Sequence, residues 1–248
     1  MVLFLILLYA SVLSYIGLMV LVIIGMLRPQ PARCSALRPP VSVIIPAHNE
    51  EAKLDATLAS LSRQEYPGEA QFIIVNDRST DATAQIIAKW EARDARFSSV
   101  HLTEASRRLS PKVNAVNEGI LRSRGEIIVT SDADCDYPSG WLAGMVSHFV
   151  DDVVMVVGYV ESTREGRSPS PVATFESVDW LTLMLTSRSL TRFGWKFASS
   201  ANNQAYRRDA FEQAGGFGLG GRAPSGDEDL LTQRLGRLPG ARIIFADA

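Results

Sequence analysis

The chain has 248 residues, enough for one α/β domain of about 200 residues plus a short appendage. Its 25 lysines and arginines against 27 aspartates and glutamates leave a net charge of −2, so no global basic field points to nucleic acid, and any bound nucleotide is expected to be small. Cys34 and Cys135 are too far apart for a disulfide framework or a paired-cysteine zinc site, and a reducing compartment is compatible with them.

Residues Val2 to Leu27 contain no charged side chain. At helical rise this run exceeds the roughly 20 residues needed to cross a bilayer core, so residues 1–27 are read as a transmembrane helix. A cleaved signal peptide is disfavoured, because the run lacks a basic start, is too long and has no small-residue cleavage site. Arg28, Arg33 and Arg38 follow it, which by the positive-inside rule places the bulk of the protein in the cytoplasm at the cell membrane. Pro29, Pro31, Pro39 and Pro40 make residues 28–40 a stiff linker, with a globular domain expected over 41–248.

From Val41 onward, apolar runs alternate with helical patterns. Val41 to Ile45, Phe72 to Val75 and Glu126 to Thr130 read as buried parallel strands. Leu54, Leu58 and Leu61 form one helical stripe, and Ile86, Ile87 and Trp90 a second, preceded by capping residues Ser79 to Asp81. Pro111 opens a third helix with Val113, Val116 and Ile120 on its apolar face. Val153 to Val160 and Arg242 to Phe245 are further strand candidates. Between them, Phe175, Trp180, Leu181, Leu183, Met184 and Leu185 read as a core helix with a solvated basic edge at Arg188, Arg192 and Lys196. The alternative is a membrane-surface helix.

Polar signals follow three of the strands directly: His48-Asn49-Glu50, Asn76-Asp77 and Asp132-Ala133-Asp134. Ligands of open parallel sheets bind outside the carboxyl ends of the strands, so these groups should share one cleft. Asp132 and Asp134, at i and i+2, offer hard oxygen ligands to Mg²⁺ or Mn²⁺. An Asx-turn cluster and a phosphatase-type nucleophile pair remain alternatives. A calcium loop fails, because Tyr137 stands where Gly is needed and Ala143 where Glu is needed.

Five motifs occur in order: Ile44-Ile-Pro-Ala-His-Asn-Glu50, Val75-Asn-Asp-Arg-Ser-Thr-Asp-Ala-Thr83, Lys112-Val-Asn-Ala-Val-Asn-Glu-Gly119, Ser131-Asp-Ala-Asp134 and Gly226-Asp-Glu-Asp-Leu230. Together they resemble the family 2 glycosyltransferases, inverting enzymes of the GT-A fold, from about Val41 to the C-terminus. The resemblance implies an α/β nucleotide-binding domain with a mostly parallel central sheet behind an N-terminal transmembrane helix. It implies that Pro46, Ala47 and Glu50 line a nucleotide-sugar pocket, that Asp77 binds the base, usually uracil, and that Lys112 sits near the nucleotide. Asp132 would lie near the ribose or the metal, Asp134 on a Mg²⁺ or Mn²⁺ ion, and Asp229 would be the catalytic base, with Glu228 and Asp227 beside it on the acceptor side. The acceptor would be a lipid or a glycan at the membrane. Read in isolation, Glu50 also suits a helix N-terminus, Asn76-Asp77 a turn, Lys112 a solvated surface, and residues 227–229 a cap for the helix through Leu230 and Leu235.

Gly215, Gly216, Gly218, Gly220 and Gly221 suggest a tightly turning loop, and Ala201 to Arg208 is similar to the family's segment between donor and acceptor sites. The Gln-x-x-Arg-Trp motif of processive members is absent. The last strand candidate is followed directly by Ala248, so a shortened chain that binds donor without turnover is the alternative expectation.

Overall fold

The computed structural model describes residues 1–29, 32–106, 108–161, 171–196, 202–218 and 227–246, with the side chains of Pro171, Ala173 and residues 227–229 outside the description. Its centre is a seven-stranded sheet. In chain order the strands are β1 (Val41–Ala47), β2 (Ala70–Asp77), β3 (Phe97–Leu102), β4 (Ile127–Ser131), β5 (Val153–Gly158), β6 (Asn203–Arg207) and β7 (Arg242–Ala246), and their spatial order is β3-β2-β1-β4-β6-β5-β7. Every pairing is parallel except those of β6, which runs antiparallel to both β4 and β5.

The helices cover both faces, and the pleat of each strand explains how. In β1, Val43 and Ile45 face one core with Leu54, Leu58 and Leu61 of α2 (Leu54–Ser62) and Ile87 and Trp90 of α3 (Thr83–Glu91). Ile44 between them points to the second core, with Val113, Val116 and Ile120 of α4 (Pro111–Arg122). Successive strand side chains alternate faces, and here both faces are dry, so the strand reads as a continuous apolar run. Pro111 occupies the first turn of α4 as expected. Gly119 lets α4 approach the sheet: a Cβ there would lie 2.4 Å from Ile44 Cγ2 and 3.0 Å from Val75 Cγ2.

Chain direction from β1 goes outward to β2 and β3, and α4 then returns it to β4 on the other side of β1. The carboxyl ends of β1 and β4 therefore border a topological switch point, where α/β sheets bind ligands.

Four elements went unread in the sequence: β3, β6, α5 (Trp141–Val146) and α7 (Arg208–Gln213). The expected core helix is α6 (Pro171–Arg192), and only its second half is buried. Met184, Ser187, Ser189, Leu190 and Thr191 are inside, whereas Phe175, Leu181 and Leu183 are exposed. Its basic edge is also not fully solvated, since Arg188, Arg192 and Lys196 are half-buried.

The N-terminal helix α1 (Val2–Leu27) is long and apolar enough to cross a bilayer, and nearly all its side chains are exposed. It touches α6 through its last turns. The segment after it is pinned to the globular part, with the Cys34 N–H donating to Ser147 O (2.7 Å) and the Tyr66 hydroxyl to Pro39 O (2.5 Å).

Candidate functional site

Three loops meet beyond the carboxyl ends of β1, β2 and β4, and polar contacts bind them to one another. The Asn49 and Glu50 N–H groups donate to Ser79 Oγ (3.0 Å) and Thr83 Oγ1 (2.9 Å), and the Thr80 N–H returns a bond to Asn49 Oδ1 (2.8 Å). Glu51 and Asp81 repeat the exchange: the Glu51 N–H donates to Asp81 Oδ2 (3.1 Å), and the Ala82 N–H to Glu51 Oε2 (2.9 Å). Asp81 also caps α3 by accepting the Thr83 N–H at 3.0 Å. Asn49 and Arg78 adopt positive φ (56° and 57°), the turn geometry that lets each loop leave its strand sharply.

The β4 loop joins the same assembly. Thr57 Oγ1 of α2 donates to Ala133 O (2.9 Å), and the buried Tyr137 hydroxyl lies 2.8 Å from Ser131 Oγ and 3.0 Å from Asp132 O. Desolvation holds the Tyr137 hydroxyl well above its ordinary pKa, so it stays a neutral hydrogen-bonding group. The turn carrying the two aspartates is thus fixed from beneath.

Three of the expected carboxylates, Asp132, Asp134 and Asp77, have a cation. Lys112 Nζ, from the first turn of α4, lies 2.8 Å from Asp132 Oδ1, and Lys53 Nζ lies 2.9 Å from Asp134 Oδ2. Asp77 is buried at the end of β2 and receives two bonds from Arg78, Nε to Oδ1 at 2.7 Å and Nη2 to Oδ2 at 3.1 Å. Pro46 and Ala47 close β1 opposite Val75 and Asn76. Glu50 lies in the turn that leads into α2, its carbonyl accepting the Lys53 and Leu54 N–H groups at 3.1 and 2.9 Å, so it sits at the amino end of that helix, whose first-turn acid is Asp55.

Glu50 reports how tightly the site is drawn together. Its carboxyl is pushed above the usual carboxylate range, first by burial and then by the charge of Asp134, with Asp132 and Asp81 adding and Lys53 opposing.

Residues 42–215 match the family model described as Glycosyl transferase family 2. The chain belongs to that family. Its fold is that of a mannosyltransferase from Pyrobaculum calidifontis, PcManGT, solved in complex with GDP-Man and Mn²⁺: the TM-score is 0.73 at 24% identity, over 96% of this chain and 64% of that one. Among curated relatives, it is 27% identical over 175 residues to an N-acetylglucosaminyltransferase of Rhizobium meliloti (strain 1021), covering 69% of this chain and 40% of the relative. It is 36% identical over 97 residues to the probable glycosyltransferase YdaM of Bacillus subtilis (strain 168), covering 39% of this chain and 23% of that protein. The chain thus spans less than half the length of these two curated relatives.

Of the residues that the motifs of this family 2 chain single out, the structure brings Glu50, Asp132 and Asp134 within electrostatic reach of one another, and Lys112 bridges α4 to Asp132. Asp227, Glu228 and Asp229, expected as the acceptor-side group, supply the backbone of the first turn of α8 (Asp227–Gly236), and their side chains lie outside the described residues, as do Ala201, Gly220, Gly221 and Gly226. Sequence reasoning missed Lys53, Arg78 and Tyr137. Arg78 was inside a quoted motif, but long side chains that reach across loops leave no periodic trace.

Proposed function

We propose that the chain transfers a sugar, with inversion, from a nucleotide-diphosphate donor to a lipid or glycan acceptor at the cytoplasmic face of the membrane. The observation that carries this reading is the set of polar groups at the switch point: Asp132 and Asp134 each paired with a lysine, beside a rigid Asp77 and a half-buried Glu50. We assign the donor to the uridine diphospho-sugars, because the Asp77 side chain has lone pairs left over from Arg78 with which to accept the imide N–H of uracil.

Among the described residues no three His, Cys, Asp or Glu side chains gather to hold a metal. Two carboxylates at i and i+2 nevertheless fit Mg²⁺ or Mn²⁺, which bind through few carboxylates and leave the other positions to substrate phosphates and water. Each carboxylate already faces one positive charge. An ion held by Asp134 and Asp132 would supply neutralisation of the charge on the departing diphosphate.

The chain's own residues account for the rest. Lys112 and Lys53 place positive charge beside the phosphates, and the loop contacts through Asn49, Ser79 and Thr83 hold the pocket in shape before donor arrives. Asp229 takes the proton from the acceptor hydroxyl as it attacks the anomeric carbon opposite the leaving nucleotide. Residues 1–27 anchor the chain in the membrane, 28–40 link, and 41–248 form the catalytic domain.

Thermal shift with a panel of nucleotide sugars and Mn²⁺ tests the donor assignment: uridine diphospho-sugars should stabilise more than guanosine ones, and the reverse order removes Asp77 as a uracil reader. Transfer of radiolabelled sugar tests the reaction, and binding without turnover would identify a donor-binding protein that is catalytically incompetent. Asp229→Asn should abolish transfer while nucleotide titrations remain unchanged.

A further inference from the structure

The exposed half of α6 calls for a partner. Phe175, Val178, Thr182, Leu185 and Ser189 recur at intervals of three and four residues and so lie along one side of the helix. At the carboxyl end of this line, Ser189 is fully buried by α1, and a Cβ on Gly25 would lie 2.6 Å from Ser189 Cβ. Toward the amino end the line is open: Phe175 is 71% exposed and Val178 56%, with Leu181 at 42% on the flank. The open surface is therefore the continuation of a contact that α1 has already begun.

The surroundings choose the occupant. Gly25 meets Ser189 and, three residues on in both helices, Arg28 Nη1 donates to Arg192 O at 2.9 Å, so α1 and α6 advance in step where they touch. At this end cations and aromatics gather: Arg28 lies 4.1 Å from the centroid of Phe193, Arg188 Nη1 donates to Met26 O at 3.4 Å, and Trp195 is exposed. Basic side chains and tryptophan at one level, with apolar surface beyond it on both helices, is the pattern of a headgroup region meeting acyl chains. The apolar side of α6, from Leu181 round to Phe175, is also wider than the narrow seam a single partner helix needs. Exposed Glu176 and Asp179 keep α6 from crossing the bilayer.

We propose that α6 is a second membrane-contacting element, its side bearing Phe175, Val178 and Leu181 seated at the headgroup–acyl boundary next to α1. The proposal rests on α1 being membrane-spanning. It adds a consequence for the reaction: Trp180 Nε1 donates to Val160 O at 3.0 Å, just past the carboxyl end of β5, so the lipid-facing half of α6 lies beside the carboxyl edge of the sheet, and that edge is held near the bilayer where a lipid-linked acceptor would be met.

The test uses the full chain reconstituted in phosphatidylethanolamine–phosphatidylglycerol vesicles, with Cys34 and Cys135 replaced by serine and an environment-sensitive fluorophore on Val178→Cys. Phe175→Cys serves as a second reporter should the first misfold, and Leu121→Cys on α4, 70% exposed in water, is the control. Flotation reports α1, and the fluorophore reports α6. Blue-shifted emission quenched severalfold by lipid-borne nitroxide at 178 or 175, and not at 121, is the expected result. Flotation with a label at 178 and 175 as open to aqueous iodide as at 121 overturns the α6 assignment and leaves the anchor intact. A label shielded from iodide yet untouched by nitroxide lipid points to a second protein surface and also overturns it, whereas failure to float overturns the anchor and this proposal together.

Discussion

Lys53 and Lys112 are paired with the two aspartates of the β4 turn, and the charges of Asp134, Lys53 and Asp132 act on Glu50. Both ion pairs are substantially exposed, the side chains of Lys53 and Asp134 by 61% and 45%, so their direct contribution to stability is small. Lys53→Ala should lower stability by no more than about 0.5 kcal/mol in urea unfolding. Glu50 behaves differently, because its pKa is raised in the folded protein. Its destabilisation is absent below the unfolded-state value of about 4.3, grows through the interval up to the raised folded value, and is complete above it. Glu50→Gln should therefore raise stability at pH 7 and leave it unchanged near pH 4, as measured by urea unfolding at both pH values, while weakening donor binding. These carboxylates were legible in the sequence because each follows an apolar run directly. Their counter-ions were less so, since Lys53 lies three residues past its motif and finds Asp134 only once α2 is folded against β4.

The element that most constrains the site is α4, because it carries Lys112 at one end and packs through Gly119 near the other. Gly119→Ala puts a methyl group against Ile44 and Val75, and overpacking of this kind costs about 1–3 kcal/mol; denaturant unfolding should register that loss, with reduced donor affinity as Lys112 shifts. Tyr137→Phe removes the hydroxyl beneath the aspartate turn and should cost about 1–2 kcal/mol, read in the same way. Strands β1, β2, β4, β5 and β7 were readable as apolar runs. Strand β3 carries Ser98, Ser99 and His101, and β6 carries Asn203, Gln204 and Arg207, so composition hid them. Two of the β6 side chains are held by tertiary partners: Asn203 accepts from Trp141 Nε1 at 3.0 Å and donates to Tyr159 O at 2.8 Å, and Arg207 donates to Val153 O and Phe149 O. No local pattern contains those partners. Helix α6 misled for the opposite reason, since its apolar residues look like core until the place of α1 is known.

Across the whole molecule, ligand binding at the switch point ties together loops from β1, β2 and β4, so donor should stabilise the domain as a unit. With Mn²⁺ and a uridine diphospho-sugar at 100 times the dissociation constant, the melting temperature should rise by about 5–10 °C and return to baseline on adding EDTA. The strand order carries a different consequence, for synthesis. Strands β2, β3 and β4 each pair with a strand made earlier, so each finds its place as soon as it emerges. Strand β5 does not: β6 lies between it and β4, and β6 begins 45 residues after β5 ends, from Gly158 to Asn203. During translation at about 5–20 residues per second, the apolar β5 must wait several seconds without a hydrogen-bonding partner in the sheet while α6 is made. An early lipid contact of α6 would then give the nascent chain somewhere to rest, so that the membrane takes part in folding before it takes part in the reaction.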